Sequence, residues 1–145
     1  MKEIKTEIEI YSSPIKAWKI LTDFNSFHTW NPIITQIVGE ARLGEKLVIS
    51  LMTSEGTVRK YTPTITMMTE NHELRWKGKS FIPGLLSGER IFRLDQISEN
   101  RTLLLHSEIF TGLGSYVAGA GLFKGVEKSL QQMNNALKIR VEESN

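Results

Sequence analysis

The sequence predicts an α+β domain in which a curved antiparallel sheet of seven strands surrounds one long C-terminal helix, with two short helices between the first two strands. Apolar and polar residues alternate over the first ten positions, which is the pattern of a half-buried strand, and from Ile33 to Gly112 the signals are all those of strands and turns. Short turns divide these segments, whereas parallel strands would need long crossover connections. A long amphipathic pattern follows. A sheet of this width tends to curl, and its apolar face needs that helix as cover.

The chain opens with a predicted strand that leads into a helix. One side of the alternating opening run carries Ile4, Thr6, Ile8 and Ile10. Ser13 offers a hydroxyl to cap the helix, and Pro14 fits the first helical position because its missing N–H costs nothing there. We therefore predict a helix over residues 14–22, whose inward-facing residues are Ile15, Ala17, Trp18 and Leu21.

A second short helix and a run of strands are predicted next. Phe27 to Trp30 can form one turn, which Asn31-Pro32 ends because a residue before proline avoids the α region. Turn residues then delimit predicted strands at 33–42, 46–54, 57–69, 72–80, 87–98 and 101–112. Pro63 falls inside the third of these segments and removes a ladder donor, so we expect a bulge or a sheet edge there.

The C-terminal helix is predicted over about residues 118–142, after a glycine-rich passage. Its apolar residues recur at steps of three or four, at Leu122, Val126, Leu130, Met133, Leu137 and Val141. Its polar face carries Lys124, Lys128, Gln131, Asn134, Asn135 and Lys138. A helix of this length crosses a whole small domain, since each residue adds ~1.5 Å.

Composition excludes several classes of protein. The 145 residues fit a single domain, 1–145, and 18 Lys plus Arg against 16 Asp plus Glu leave a formal charge of +2, without a basic block for nucleic acid. Cysteine is absent, which removes thiol nucleophiles and thiolate metal sites. The N-terminus lacks the apolar region of a signal peptide, and no stretch reaches the ~20 apolar residues of a membrane span. We expect a cytoplasmic monomer or homodimer, without stable membrane insertion.

No sequence motif predicts a metal or a cofactor. The glycines at 119, 121 and 125 have the spacing GxGxxxG, but no βαβ unit surrounds them and no GK[ST] follows, so a phosphate-binding loop is rejected. HExxH, GxSxG and aspartate clusters are also absent from the sequence. We therefore expect no cofactor and no metal.

The predicted fold leaves space for a ligand. A single helix cannot fill the concave face of a wide curved sheet, so the remaining space between sheet and helix is a candidate cavity. The two short helices would close one end of it. The expected partner is therefore a small apolar molecule.

Polar and aromatic residues of the last two strands are candidates for contact with that ligand. His106, Glu108 and Phe110 share one face of their strand, and Arg90 and Phe92 share a face of the preceding strand. If both faces point inward, Arg90 and Glu108 would pair inside the cavity beside His106. The alternative register turns Leu103, Leu105 and Ile109 inward and leaves the charged set exposed.

Two tryptophans and one loop are further candidates. Trp30 and Trp76 combine a large ring with an N–H donor, which suits a cavity wall, although simple core packing explains them equally well. Large apolar side chains at Phe81, Leu85 and Leu86 lie in a predicted loop. They can form a portal for the ligand or a patch that touches a membrane or a partner, or they can fold back onto the C-terminal helix.

Several short motifs resemble one known superfamily and together cover nearly the whole chain. They are Ser13-Pro14 with Trp18, Leu21-Thr22-Asp23-Phe24, Trp30-Asn31-Pro32, Leu74-x-Trp76-x-Gly78, Ser87-Gly88-Glu89 and His106-x-Glu108-x-Phe110-x-Gly112. The sequence is similar to the START/Bet v 1-like (SRPBCC) superfamily, in particular to its polyketide cyclase/dehydrase-like branch. The resemblance implies a helix-grip fold and a cavity for a lipid, a polyketide or another apolar metabolite.

This resemblance leaves the chemistry open, because one fold hosts many functions. The first hypothesis is binding or transport of a small hydrophobic ligand without catalysis. The second is a polyketide cyclase/dehydrase-like enzyme that uses His106, Glu108 and Arg90 in acid/base and electrostatic roles. The third is an interaction module that resembles the activator domains of a chaperone ATPase.

Overall fold

The computed structural model of the chain describes residues 1–53, 55–80, 87–112 and 120–145. Within these residues, eight strands form two antiparallel sheets, and two α-helices and one 3-10 helix accompany them. The strands are β1 (Lys2–Ile10), β2 (Ile34–Val38), β3 (Val48–Met52), β4 (Val58–Tyr61), β5 (Thr64–Thr69), β6 (Glu73–Lys79), β7 (Ser87–Ser98) and β8 (Arg101–Thr111). The helices are α1 (Pro14–Thr22), the 3-10 helix (Phe24–Thr29) and α2 (Ala120–Glu143).

The larger sheet has the strand order β1-β8-β7-β6-β5, and the smaller one has the order β2-β3-β4. The predicted α+β class, with an antiparallel meander and a long C-terminal helix, is therefore confirmed. In the larger sheet β8 pairs with both β1 and β7. Arg90 lies directly opposite Glu108 in this register, and Phe92 lies opposite His106.

The predicted single sheet of seven strands is wrong in one respect. The segment predicted as one strand over 57–69 is split into β4 and β5, which belong to different sheets. Pro63 lies at the split and has no N–H for a ladder, while its carbonyl accepts a hydrogen bond from Leu47 N at 2.8 Å. Gly78 of β6 permits this path, since a Cβ there would lie 2.9 Å from Pro63 Cα. The expected irregularity at Pro63 is thus a change of sheet.

Helix α1 begins as predicted, and its N-terminus shows why. Ser13 Oγ accepts a hydrogen bond from Lys16 N at 3.3 Å, and Pro14 occupies the first turn. Ala17, Trp18 and Leu21 are buried as expected. Ile15 is the exception: it is 65% exposed, because the buried stripe includes Pro14 and a neighbouring helical position points about 100° away from it.

The 3-10 helix and the turn after it lead the chain into the smaller sheet. Phe24 and Phe27 are buried and pack edge to face, with ring centroids 5.8 Å apart. Asn31 then accepts hydrogen bonds at Oδ1 from Ile33 N at 2.9 Å and from Ile34 N at 2.8 Å. This side chain therefore fixes the turn that precedes β2.

Helix α2 packs against β1, β8 and α1. Its buried apolar residues include Leu130, Met133, Leu137 and Val141, as predicted. Leu122, on the same predicted stripe, is 39% exposed and lies in the lining of a cavity. One assignment on this helix is wrong: Asn134, predicted on the polar face, is 2% exposed. Position 134 follows Leu130 by four residues and so lies in the middle of the buried stripe. In the described part of the chain, no helix is long and apolar enough to span a membrane.

Candidate ligand-binding site

A cavity of about 290 Å³ lies between the two sheets and the first turns of α2. Apolar side chains from β3, β8 and α2 form much of its wall, and a few polar groups lie among them. Its described lining consists of Ile33, Leu51, Met52, Thr53, Tyr61, Gly78, Lys79, Ser80, Gly88, Arg90, Glu108, Phe110, Gly121, Leu122, Gly125, Val126 and Ser129. The volume is near the lower end of the ~300–1,000 Å³ range of small-molecule sites.

The alternation along β8 decides which residues face the interior. Thr102, Leu104, His106, Glu108 and Phe110 are buried, whereas the residues between them are only half-buried. The charged set therefore points toward α2 and the cavity, and Leu103, Leu105 and Ile109 lie on the opposite face of the sheet.

Arg90 and Glu108 form an ion pair in the wall of this cavity. Arg90 Nε donates a hydrogen bond to Glu108 Oε2, and the two side chains are 8% and 11% exposed. They are opposite each other in the ladder between β7 and β8, so the backbone register itself brings them together. Each charge is costly to bury alone, and the pairing offsets much of that cost.

Glu108 also depends on a glycine in the neighbouring strand. A Cβ at Gly88 would lie 2.8 Å from Glu108 Oε1 and 3.6 Å from the Phe110 ring. The missing side chain at Gly88 therefore leaves the space in which the carboxylate lies. Gly88 adopts no left-handed backbone conformation, so close approach, and not backbone freedom, explains the glycine.

His106 lies behind the ion pair, in a network that reaches α2 and β1. It is 1% exposed, and its Nδ1–H donates to Asn134 Oδ1 at 2.7 Å. The Asn134 amide in turn donates to Thr6 Oγ1 at 2.8 Å, and the Thr6 hydroxyl donates to the His106 carbonyl at 2.7 Å. Because the Asn134 amide nitrogen is used by Thr6, its oxygen is left to accept, which assigns the proton to Nδ1.

The other ring nitrogen of His106 accepts from the ion pair. Arg90 Nη1 lies 3.3 Å from His106 Nε2, and a guanidinium can only donate, so Nε2 carries a lone pair. Burial lowers the pKa of His106 well below its usual value, and the charge of Arg90 lowers it further. His106 is therefore neutral near pH 7, and both of its ring nitrogens are occupied by protein partners.

An aromatic layer supports this network. Phe92 stacks on the His106 ring with ring centroids 4.3 Å apart, and Phe92 and Trp76 pack edge to face with ring centroids 5.2 Å apart. Trp76 is fully buried, and its Nε1–H donates to the Tyr61 hydroxyl at 2.7 Å. Burial raises the pKa of Tyr61, and the negative charge of Glu108 raises it further, so the cavity meets a protonated phenol there.

The structure brings together some of the predicted site residues and separates others. Arg90, Glu108 and Phe110 line the cavity. His106, Phe92 and Trp76 lie in the layers behind it. Trp30 packs against Phe27 with ring centroids 4.8 Å apart. The buried Nε1 of Trp30 has no hydrogen-bond partner within the described residues. The predicted portal residues Phe81, Leu85 and Leu86 lie outside the part of the chain that the structure describes.

Three residues of the site are not singled out by the sequence. Tyr61 is in a predicted strand, but nothing in its neighbours marks it as a contact of Trp76. Gly88 stands out only as part of the motif Ser87-Gly88-Glu89. Asn134 follows Leu130 by four residues, a spacing that predicts a buried position. Its polar side chain indicates the opposite, so Asn134 is predicted on the polar face. Among the described residues, no group of three or more His, Cys, Asp or Glu side chains is placed to hold a metal.

The sequence matches one family model and no curated protein. The family model described as "Polyketide cyclase / dehydrase and lipid transport" matches residues 1–142. No curated protein sequence matches the chain.

Solved structures share the fold at low sequence identity. A START superfamily protein from Mycobacterium smegmatis has 20% identity and a TM-score of 0.82, with 99% of each chain covered. The Zhui aromatase/cyclase from Streptomyces sp. R1128 has 15% identity and a TM-score of 0.77, covering 98% of this chain and 94% of that one. A protein from Thermus thermophilus has 11% identity and a TM-score of 0.79, again with 99% of each chain covered. At these identities the likeness concerns the fold.

Proposed function

Because the chain belongs to the family of polyketide cyclases, dehydrases and lipid transport proteins, we propose that it binds a small, largely apolar molecule in the cavity beside Arg90 and Glu108. The observation that carries this proposal is a buried ion pair in the wall of an otherwise mainly apolar cavity. Binding sites for small molecules combine apolar walls with a few well-placed polar groups. Ile33, Leu51 and Val126 would contact the apolar body, and the ion pair would fix its orientation.

The state of His106 supports binding over acid–base catalysis at this residue. A general acid or base must reach the proton that it transfers, at hydrogen-bond distance or through one water. His106 instead contacts Asn134 and Arg90 through its two ring nitrogens and is 1% exposed. Its role is therefore to hold Arg90 in place, and the enzyme hypothesis loses His106 as a proton carrier.

The proposal is tested with Nile red, an uncharged apolar dye whose emission rises in apolar sites. Val126 is half-buried in the cavity wall on α2, so Val126→Trp should fill the cavity and weaken dye binding at least about tenfold, or ~1.4 kcal/mol. Ile139→Trp is the matched control, because Ile139 is on the same helix but is 59% exposed and outside the cavity.

Two results would contradict the proposal. One is a native protein that does not bind the dye at all, and the other is equal binding by the Val126→Trp and Ile139→Trp proteins. Circular dichroism melts of both variants establish that they are folded before affinities are compared. Dye binding that raises the melting temperature of the native protein, but not that of Val126→Trp, gives an independent measure of the same site.

A further inference from the structure

The guanidinium of Arg90 keeps donors available for a ligand. Its Nε donates to Glu108, and its Nη1 contacts His106 Nε2 at 3.3 Å and Met133 Sδ at 3.9 Å. Within the described residues no acceptor engages Nη2 and its two N–H groups, and this atom is not sealed from solvent. Because Arg90 lines the cavity, these two donors are reached from there.

Glu108 offers the complementary acceptor beside these donors. Its Oε2 accepts from Arg90 Nε, while Oε1 lies against the backbone of Gly88. No donor in the described part of the chain is bonded to Oε1, and this oxygen too is not sealed from solvent. Gly88 and Glu108 both line the cavity, so the free oxygen is on the cavity side of the pair.

The charges of the wall decide which polar group fits this arrangement. The charges of Arg90 and Glu108 compensate each other, and His106 and the Tyr61 phenol beside them are neutral. Lys79 is the other charged residue of the described lining, and it is exposed, so water screens its charge more strongly than that of the buried pair. An anionic group would satisfy Arg90 Nη2 but would bring a second negative charge beside Glu108 Oε1. A cationic group would satisfy Oε1 but would be repelled by the guanidinium. Both repulsions are strengthened because the two charged side chains are largely buried.

We propose that the cavity selects uncharged ligands that carry a hydrogen-bond acceptor and a hydrogen-bond donor side by side. The acceptor receives Arg90 Nη2–H, and the donor binds Glu108 Oε1. A carboxamide, a lactam, a hydroxy ketone or an enolised diketone on an apolar ring system has this chemistry. Free fatty acids and other carboxylates are selected against. This inference rests on the proposed function, because it names the ligand class of the same cavity.

A series of naphthalene derivatives, all substituted at the same ring carbon, tests the inference. Naphthamide offers an acceptor and a donor, acetylnaphthalene only an acceptor, naphthoate an anion, and naphthamidine a cation. Affinities are measured at pH 7 by displacement of Nile red and by calorimetry. Naphthamide should bind about tenfold more tightly than acetylnaphthalene, since one hydrogen bond to a charged group is lost. Naphthoate and naphthamidine should bind more weakly still.

A change at Glu108 should alter the order of preference. Glu108→Gln keeps the shape of the side chain but removes the negative charge, so the charge of Arg90 is no longer compensated. Naphthoate should then gain at least about tenfold in affinity relative to naphthamide. Glu127→Gln, the same change at an exposed position of α2 outside the described cavity lining, is the control and should retain the native order.

The outcomes distinguish this inference from the proposed function. If naphthoate binds the native protein as tightly as naphthamide, or more tightly, the inference is overturned while a binding cavity remains. If the naphthalene derivatives and the dye all fail to bind, the proposed function is lost, and the inference falls with it. The order of affinities in the native protein is decisive even where the Glu108→Gln protein does not fold.

Discussion

Arg90 Nη1 and His106 Nε2 lie 3.3 Å apart, in a contact that requires the imidazole to be neutral. A protonated His106 would present an N–H to the guanidinium and add a second positive charge beside it. The cavity wall, the helix α2 and the strand β1 meet at this point, because His106 also bonds Asn134 and Asn134 bonds Thr6. Protonation of one ring would therefore disturb three elements together.

Stability should fall below neutral pH because of His106. Its pKa is lower in the folded protein than in the unfolded chain, where the ordinary value is 6.5, so the unfolded chain binds more protons below that pH. The contribution of His106 is fully present above about pH 6.5 and is lost as the pH falls, by up to ~1.4 kcal/mol per pH unit.

Urea unfolding at pH 7, 6 and 5 measures this effect. The native protein should lose stability more steeply toward pH 5 than the His106→Gln protein, which has no imidazole at this position. Comparison of the two slopes, and not of the two stabilities, separates titration from the packing cost of the substitution. Parallel slopes would mean that His106 does not resist protonation in the folded state.

The ion pair of the cavity wall should show strong energetic coupling. Arg90→Ala and Glu108→Ala each leave a poorly solvated charge, so each should destabilise the protein by about 3 kcal/mol, and the double variant by clearly less than the sum. The pair Arg93–Asp95 on β7 is the control, with an Nε to Oδ1 distance of 3.0 Å and side chains that are 48% and 32% exposed. Its single changes should cost less than ~1 kcal/mol with little coupling. Equal coupling in the two cycles would contradict the burial of the Arg90–Glu108 pair.

Local rules predict most of the fold. The start of α1 follows from Ser13 and Pro14 alone, because capping and the fixed φ of proline act within one turn. The alternation in β1 likewise gives its buried face directly. The division into two sheets is not predicted, since it depends on where the carbonyl of Pro63 finds a donor, and that donor is Leu47 N. No local pattern contains this information.

The site is only partly predictable for a related reason. The spacing of His106 and Glu108 shows that they share a face, but not which face is buried, because β8 is apolar on both sides. Trp76 has the residue type of a cavity wall and of a core alike, and only its contacts place it in the core. The polar character of Asn134 indicates a solvated position, although buried partners on β1 and β8 satisfy its side chain.

Removal of the Asn134 side chain should therefore be costly. Asn134→Ala leaves His106 Nδ1–H and Thr6 Oγ1 without their partner in a buried site, at a cost of about 1–3 kcal/mol. Asn135→Ala is the matched control on the exposed face of the same helix and should change stability by less than ~0.5 kcal/mol. Denaturant unfolding of the two variants makes the comparison. Similar effects at both positions would show that the network contributes nothing beyond helix propensity.

A methyl group at Gly88 should disturb the cavity wall without touching either charge. In Gly88→Ala the new Cβ meets Glu108 Oε1 at 2.8 Å, so the carboxylate must move away from its position beside Arg90. We expect a loss of stability of about 1–3 kcal/mol, as for other overpacked sites, together with weaker binding of Nile red. Gly125→Ala is the control for stability, because nothing lies within 4 Å of a Cβ there and the position is exposed. Gly125 also lines the cavity, so it is not a control for dye binding. Alanine is the better helix former, so this change should raise stability by about 0.5–1 kcal/mol. Urea unfolding of both proteins, and dye titration of the Gly88→Ala protein against the native protein, test these expectations. A Gly88→Ala protein with native stability and native dye binding would mean that the Glu108 carboxylate does not need the space beside this glycine.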